Sequence, residues 1–134
     1  MLATLTIEEG RPPIDILTLD ELRANLKLAM DHATTIGRPN IVFVTMPNGN
    51  TMSLVVGAGN ETVLDFVYHH KDPPYFASKA DTDDIEPYLV AYVGLVHHTE
   101  LPRRNVVPMD LGMRALNDFV KDGELPPAVD WIEV

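Results

Sequence analysis

Two tight-turn signals separate three apolar stretches in the middle of the chain, and this pattern restricts the fold more than any other feature. Residues 41–46 and 51–56 are joined by Pro47-Asn48-Gly49-Asn50, and Gly-Ala-Gly-Asn at 57–60 leads from the second stretch into residues 62–68. Asn-Gly pairs tolerate the positive φ angles of tight hairpin turns, and short glycine-rich links also suit a chain reversal. The sequence therefore predicts three consecutive antiparallel strands joined as a meander.

Side-chain patterning indicates where this meander lies in the fold. Residues 41–46, Ile-Val-Phe-Val-Thr-Met, are apolar on both faces, which is typical of a strand at the centre of a sheet. In the two following strands every second residue points to the same side. The residues predicted to face the core are Met52, Leu54, Val56, Leu64, Phe66 and Tyr68.

Capping signals mark the ends of two helices, one before the meander in the sequence and one after it. Thr18 and Glu21 form a capping box, and Gly37 ends the periodic segment that they begin. Pro108 suits the first turn of the second helix, and Gly123 suits the position just past its end. Apolar residues recur at three- or four-residue spacing in both segments, which predicts a buried stripe on each helix. The stripes comprise Leu19, Leu22, Leu26, Met30 and Ala33 in the first helix and Leu111, Ala115, Leu116, Phe119 and Val120 in the second.

The other segments complete an α+β fold. Strands are also predicted at 2–8, 75–79, 88–95 and 129–133, where β-branched and apolar residues are frequent. Polar or proline-containing connections are predicted at 69–74, 81–87 and 97–105. We therefore predict a single domain over residues 1–134, with an antiparallel sheet of about five to seven strands around the central meander and two main helices.

The C-terminal third carries the sequence signature of a known family. A proline opens the helix, an aromatic residue and a glycine close it, and Leu-Pro, Val, an acidic residue and Trp follow. This order resembles the C-terminal signature of immunity protein family one, from bacterial polymorphic toxin systems. Residues 54–59, 62–68 and 75–78 also resemble the middle hairpin of that family and the aromatic segment after it. The motif residues are Pro108, Phe119, Gly123, Pro126 and Trp131.

The resemblance implies a function. Members of this family are small antidotes, often encoded beside deaminase-type toxins. The chain is therefore expected to bind and neutralise a cognate bacterial toxin, one that targets nucleic acid, by blocking its active site or substrate groove. The matched residues include no catalytic motif and instead build the fold, so an inhibitor without enzymatic activity is expected.

The charge balance is consistent with a basic protein partner. The chain has 20 acidic and 10 basic residues, which gives a formal net charge of −10. Such a field repels phosphate backbones, which argues against direct nucleic-acid binding, and it speeds association with a cationic surface. A toxin that acts on nucleic acid presents a surface of that kind. An acidic exterior also serves solubility, so the charge alone does not distinguish the two roles.

Composition also restricts the chemistry and the cellular location expected for this chain. There is no cysteine, which excludes disulfides, thiolate nucleophiles and cysteine-ligated zinc. No apolar run reaches the roughly 18 residues of a membrane-spanning helix, and the first residues do not have the pattern of a secretory leader. We therefore expect a cytoplasmic protein that makes no membrane contact. Composition does not determine the oligomeric state, for which a monomer is favoured.

The loops between residues 69 and 87 are the predicted partner-binding surface. They combine aromatic side chains with clustered carboxylates, a combination found at interface hot spots. The acidic cluster is also typical of a solvated loop without a specific role, and the aromatic pair is also typical of core packing. The acidic cluster lacks the glycine and the distal glutamate that an EF-hand calcium loop has at fixed positions. The predicted partner-binding residues are Asp72, Tyr75, Phe76, Asp81, Asp83, Asp84 and Glu86.

An alternative function, metal or small-molecule binding with or without catalysis, would use the histidines. It requires His69, His70, His97 and Asp65 to converge around one pocket. Adjacent strand residues point to opposite faces, so neither histidine pair readily shares one metal. The nucleophile-elbow pattern Gly-x-Ser-x-Gly is absent as well. We therefore expect no cofactor, no metal and no catalytic residue.

Overall fold

The meander predicted from the two turns forms the centre of the sheet in the computed structural model, which describes residues 1–134. The chain forms eleven strands and two helices. The elements of the first half are β1 (Ala3–Thr6), β2 (Ile14–Ile16), α1 (Leu19–Ile36), β3 (Asn40–Thr45), β4 (Thr51–Val56), β5 (Glu61–Thr62) and β6 (Leu64–Val67). Those of the second half are β7 (Tyr75–Ser78), β8 (Leu89–Val93), β9 (His97–Leu101), β10 (Val107–Pro108), α2 (Met109–Asp122) and β11 (Trp131–Glu133).

Nine of the strands form one sheet, in the order β11-β7-β6-β4-β3-β1-β2 with the β8–β9 hairpin attached to β3. One edge of β3 is shared between two neighbours. Phe43 to Thr45 pair with β1, whereas Asn40 and Ile41 pair with β8, which is the one parallel contact in the sheet. Because β3 is paired along both edges, its position is central as predicted. The short strands β5 and β10 form a separate two-stranded ribbon.

Both helices contribute to the main core, which lies on one face of the sheet. Met52, Leu54, Val56, Leu64 and Phe66 are all fully buried there, which confirms the predicted inward face of the meander. The predicted helix stripes supply the opposing side chains, with Leu22 and Leu26 from α1 and Ala115, Leu116, Phe119 and Val120 from α2. Neither helix is long and apolar enough to span a membrane.

The capping signals of α1 are confirmed, with one difference in detail. The Thr18 hydroxyl accepts a hydrogen bond from the Glu21 amide at 3.1 Å, and Gly37 takes a left-handed conformation with φ of 64°. The Glu21 carboxylate accepts from the Leu17 amide at 3.1 Å, rather than from the cap residue itself. Both ends of the helix therefore have partners for their free backbone groups.

The β8–β9 hairpin contributes to a second, smaller core on the opposite face of the sheet. Its buried residues are Ile41, Val55, Val63, Ala91 and Val106. The prediction that residues 97–105 are an irregular connection is wrong for residues 97–101, which form β9. The sequence there, His-His-Thr-Glu-Leu, shows no apolar periodicity because β9 pairs only with β8 and leaves most of its side chains in solvent. Pairing along the backbone, rather than burial of side chains, defines this strand.

The chain has more strands than the five to seven expected, partly because several are very short. Strand β2 has three residues and lies between the predicted first strand and the first helix, where no strand was predicted. Strands β5 and β10 have two residues each. Elements of this length have no measurable side-chain period in the sequence. They can be recognised only from the strands with which they pair in the structure.

The family motif builds the corner at which α2 meets the β3–β4 turn. Gly123 ends the helix with φ of 74°, and its carbonyl oxygen accepts hydrogen bonds from the side-chain amides of Asn48 and Asn50, at 3.1 and 2.8 Å. The Pro126 carbonyl accepts from the Trp131 indole nitrogen at 2.7 Å, which fixes the ring against the main core. Pro108 precedes the first residue of α2 and occupies its N-cap position. The motif residues are therefore structural.

We expect Gly123→Ala to lower the free energy of unfolding by about 2 kcal/mol. A Cβ atom at this position would lie 2.6 Å from the Asn48 side-chain nitrogen, in addition to the cost of a positive φ. Gly59→Ala is the matched control, because Gly59 has φ of 67° but no atom within 4 Å of the added carbon. Its expected cost is about 1 kcal/mol, and equal losses for both variants in urea denaturation would contradict the role given to the corner.

Candidate functional site

An open groove of about 490 Å³ lies on the sheet face that points away from the helices. Strands β6 and β7 supply one side and the β8–β9 hairpin supplies the other, with β3 and β4 between them. The groove is mainly apolar. The apolar and aromatic side chains on this face are Ile41, Phe43, Val67, Tyr75, Val93 and Leu101, and the polar ones are Thr51, Ser53, Asp65, Lys71 and Thr99.

Strand register determines which side chains share this face. Phe43 pairs with Ser53, Ser53 pairs with Asp65, and Asp65 pairs with Ala77, so these four lie in one row across the sheet. Thr51, Val67 and Tyr75 form the next row in the same way. A row of neutral side chains thus has one carboxylate in its middle.

The Asp65 carboxylate has few partners. The Ser53 hydroxyl donates a long hydrogen bond of 3.5 Å to it, and no basic side chain forms an ion pair with it. Burial raises the pKa of Asp65 to about 6, although the Ser53 hydrogen bond lowers it slightly. At neutral pH the groove therefore holds a negative charge that is poorly solvated, and such a charge attracts a cation.

The predicted aromatic pair is divided between the two faces of the sheet. Tyr75 and Phe76 are consecutive strand residues, so their side chains point in opposite directions. The Tyr75 hydroxyl donates to the Lys71 carbonyl at 2.7 Å on the groove side. The Phe76 ring packs against the main core, 6.3 Å from the Tyr68 ring. Phe76 thus has the core-packing role that the sequence left open.

The acidic loop, residues 81–87, is held in place by one arginine. The Arg103 backbone amide donates to the Ile85 carbonyl at 2.8 Å, its side chain donates to the Pro87 carbonyl at 2.9 Å, and the same side chain binds the Glu61 carboxylate at 2.8 Å. Ile85 and Tyr88 are exposed by 47% and 39%. Loop carboxylates and these two apolar side chains line a shallow depression, whose members are Asp83, Asp84, Ile85, Glu86 and Tyr88.

The predicted partner-binding residues therefore fall into three places. Tyr75 lines the groove, Phe76 packs against the main core, and Asp83, Asp84 and Glu86 line the shallow depression. Asp72 and Asp81 are exposed in the segments before and after β7. The seven residues do not share one pocket, and their common role in binding stays a prediction.

The histidines do not converge. The rings of His69 and His70 contact each other at 5.4 Å, His97 pairs with Glu9, and the His98 ring lies 5.6 Å from that of Tyr92. No three histidine, aspartate or glutamate side chains are placed to hold a metal ion. The alternative that required His69, His70, His97 and Asp65 around one pocket has no support in this arrangement.

Several groove residues were missed by sequence reasoning. Val93, Thr99 and Leu101 come from the β8–β9 hairpin, whose second strand was expected to be irregular. One signal was available, because Asp65 is the only charged residue in the apolar run 62–68. A single charge in a strand that is otherwise buried points to a special environment.

A comparison with protein families assigns the chain to a family. No curated protein matches the chain. The family described as immunity protein Imm1 matches residues 10–133, which include the meander, both helices, the groove and the C-terminal motif. The match covers nearly the whole chain and confirms the family suggested by the C-terminal signature, so the chain belongs to the Imm1 family of immunity proteins.

Proposed function

We propose that this immunity protein neutralises a nucleic-acid-targeting toxin of the deaminase type by covering the basic surface on which that toxin holds its substrate. The toxin and the chain meet in the cytoplasm as a complex of one copy each, and the chain performs no chemistry. An immunity protein acts on a cognate toxin, and the deaminase chemistry comes from the toxins that often accompany this family.

The observation that carries the proposal is the acidic depression with two exposed apolar side chains. Asp83, Asp84 and Glu86 surround Ile85 and Tyr88, so an anionic rim encloses an apolar centre. Interfaces that bind tightly combine such a centre, which is desolvated on binding, with charged edges that steer the encounter. The net charge of −10 extends this field over the molecule.

The direct test uses the toxin encoded beside this chain, with single-stranded nucleic acid as its substrate. We expect base deamination by the toxin alone and its loss when an equal molar amount of the chain is added. Full deaminase activity in the presence of excess chain would refute neutralisation. Toxin activity that cleaves strands and leaves every base intact would refute the deaminase assignment alone.

Neutralising the acidic loop is expected to slow association with the toxin by roughly tenfold or more at low salt, with a smaller effect at high salt. Loop carboxylates steer the encounter, so the association rate changes more than the dissociation rate. The variant replaces Asp81, Asp83 and Asp84 with Asn and Glu86 with Gln. Surface plasmon resonance at two salt concentrations measures both rates.

A matched control removes the same amount of negative charge from the two helices. It replaces four exposed carboxylates with Asn, at Asp20, Asp31, Asp110 and Asp122. If steering comes from the loop, the control slows association less than the loop variant does. Equal slowing by both variants would show that only net charge matters and would contradict the loop as the docking surface.

A further inference from the structure

The groove on the open sheet face holds a carboxylate for which the chain itself provides no cation. Asp65 forms no ion pair, and Lys71, the only basic residue in the groove lining, does not pair with it. The Ser53 hydroxyl at 3.5 Å is the only side chain that donates to it. Asp65 is half-buried, and carboxylates with little access to water are normally paired with a cation or bound by several donors, so this site lacks a partner.

We propose that the groove receives an arginine side chain of the toxin, whose guanidinium pairs with the Asp65 carboxylate while its methylene groups pack on Phe43 and Val93. The inference rests on the proposed function and adds a second contact region to the acidic loop. Strands β7 and β8 both contribute residues to the groove, and the segment that joins them contains the loop.

The chemistry of the groove selects this occupant. Guanidinium is weakly hydrated, stacks on aromatic rings and pairs with carboxylates in two parallel hydrogen bonds, so it enters apolar sites more readily than an ammonium group does. Phe43 and Tyr75 offer ring surfaces, and the hydroxyls of Ser53 and Thr99 can accept from the guanidinium nitrogens that Asp65 leaves free. The volume of about 490 Å³ lies in the range of pockets that enclose ligands.

Protonation of Asp65 makes the proposed contact dependent on pH. Only the ionised carboxylate pairs with guanidinium, and burial raises the pKa of this group to about 6. Lys71 and Tyr75 are the other titratable residues of the lining. Affinity is therefore expected to rise between pH 5 and pH 7.5.

The first test needs no toxin. The isolated chain is titrated with n-butylguanidinium and, separately, with the neutral N-butylurea, while amide resonances are followed by NMR. We expect n-butylguanidinium at pH 7.5 to shift the amides of Ser53, Val67 and Thr99, and its affinity to fall roughly tenfold or more in Asp65→Asn. Asp31→Asn, which removes an exposed carboxylate from α1, is expected to behave as the unchanged protein does. Equal binding of both compounds, or no shifts in the groove, would overturn the proposal.

The second test separates this inference from the proposed function. Asp65→Asn is expected to weaken binding of the toxin encoded beside this chain by roughly tenfold to a hundredfold, because it leaves a buried arginine without its anion. A toxin that binds the unchanged protein and the variant equally would overturn the arginine contact and leave neutralisation intact. A toxin that binds neither would overturn the proposed function, and the butylguanidinium titration would still decide whether the groove accepts the cation.

Discussion

Phe66→Ala is expected to lower the free energy of unfolding by about 3 to 5 kcal/mol, the largest loss that we predict for a single substitution. The Phe66 ring is fully buried, and it contacts the rings of Tyr68, Phe119 and Trp131 edge to face at centroid distances of 4.9, 5.9 and 6.4 Å. Truncation leaves a cavity that these three rings cannot fill, because Tyr68 follows β6 in the chain, Phe119 lies on α2 and Trp131 lies on β11. Urea denaturation at constant pH measures the loss.

A matched control for this prediction is Tyr88→Ala. Tyr88 is also aromatic, but its side chain is exposed on the loop before β8, so truncation is expected to change stability by less than about 0.5 kcal/mol. A loss below about 1 kcal/mol for Phe66→Ala would contradict the central position assigned to the ring.

The elements that sequence reasoning predicted are those whose information is local. Helix α1 has a cap residue at one end and a glycine at the other, and β3, β4 and β6 are apolar runs separated by turn residues. Strand β9 could not be predicted in the same way, since its only sheet partner is β8 and its side chains are mostly solvated. Its place depends on a contact between the hairpin and β3 that no residue of β9 encodes.

The candidate site also contains residues that local sequence could predict and residues that it could not. Tyr75 was predicted because an aromatic residue beside an acidic loop is recognisable in sequence. The groove depends on register, which brings Ser53 and Asp65 opposite each other and places the hairpin across from them. Register is a property of paired strands, so the groove became visible only in the fold. The isolated charge of Asp65 was its one local sign.

Asp65→Asn is expected to raise the free energy of unfolding at pH 7.5 by about 2 to 3 kcal/mol and to leave it nearly unchanged at pH 4. In the unfolded chain the carboxyl has its ordinary pKa of 3.8, whereas burial raises the pKa to about 6 in the folded protein. Between these values the folded state binds the proton more tightly, so the stability of the unchanged protein falls as pH rises from 4 to 6. Asparagine has the same shape but never becomes charged, so this decline is absent in the variant.

Denaturation curves at several pH values test this result, with Asp81→Asn as the control. Asp81 is exposed, so its variant is expected to follow the pH profile of the unchanged protein. Parallel profiles for Asp65→Asn and the unchanged protein would mean that the groove solvates the carboxylate well, and the reason for a cationic partner would disappear. A gain in stability together with weaker toxin binding would show that the groove solvates the carboxylate poorly and that the toxin supplies its cation. The free chain would then tolerate an unfavourable charge in its groove because the toxin neutralises that charge in the complex.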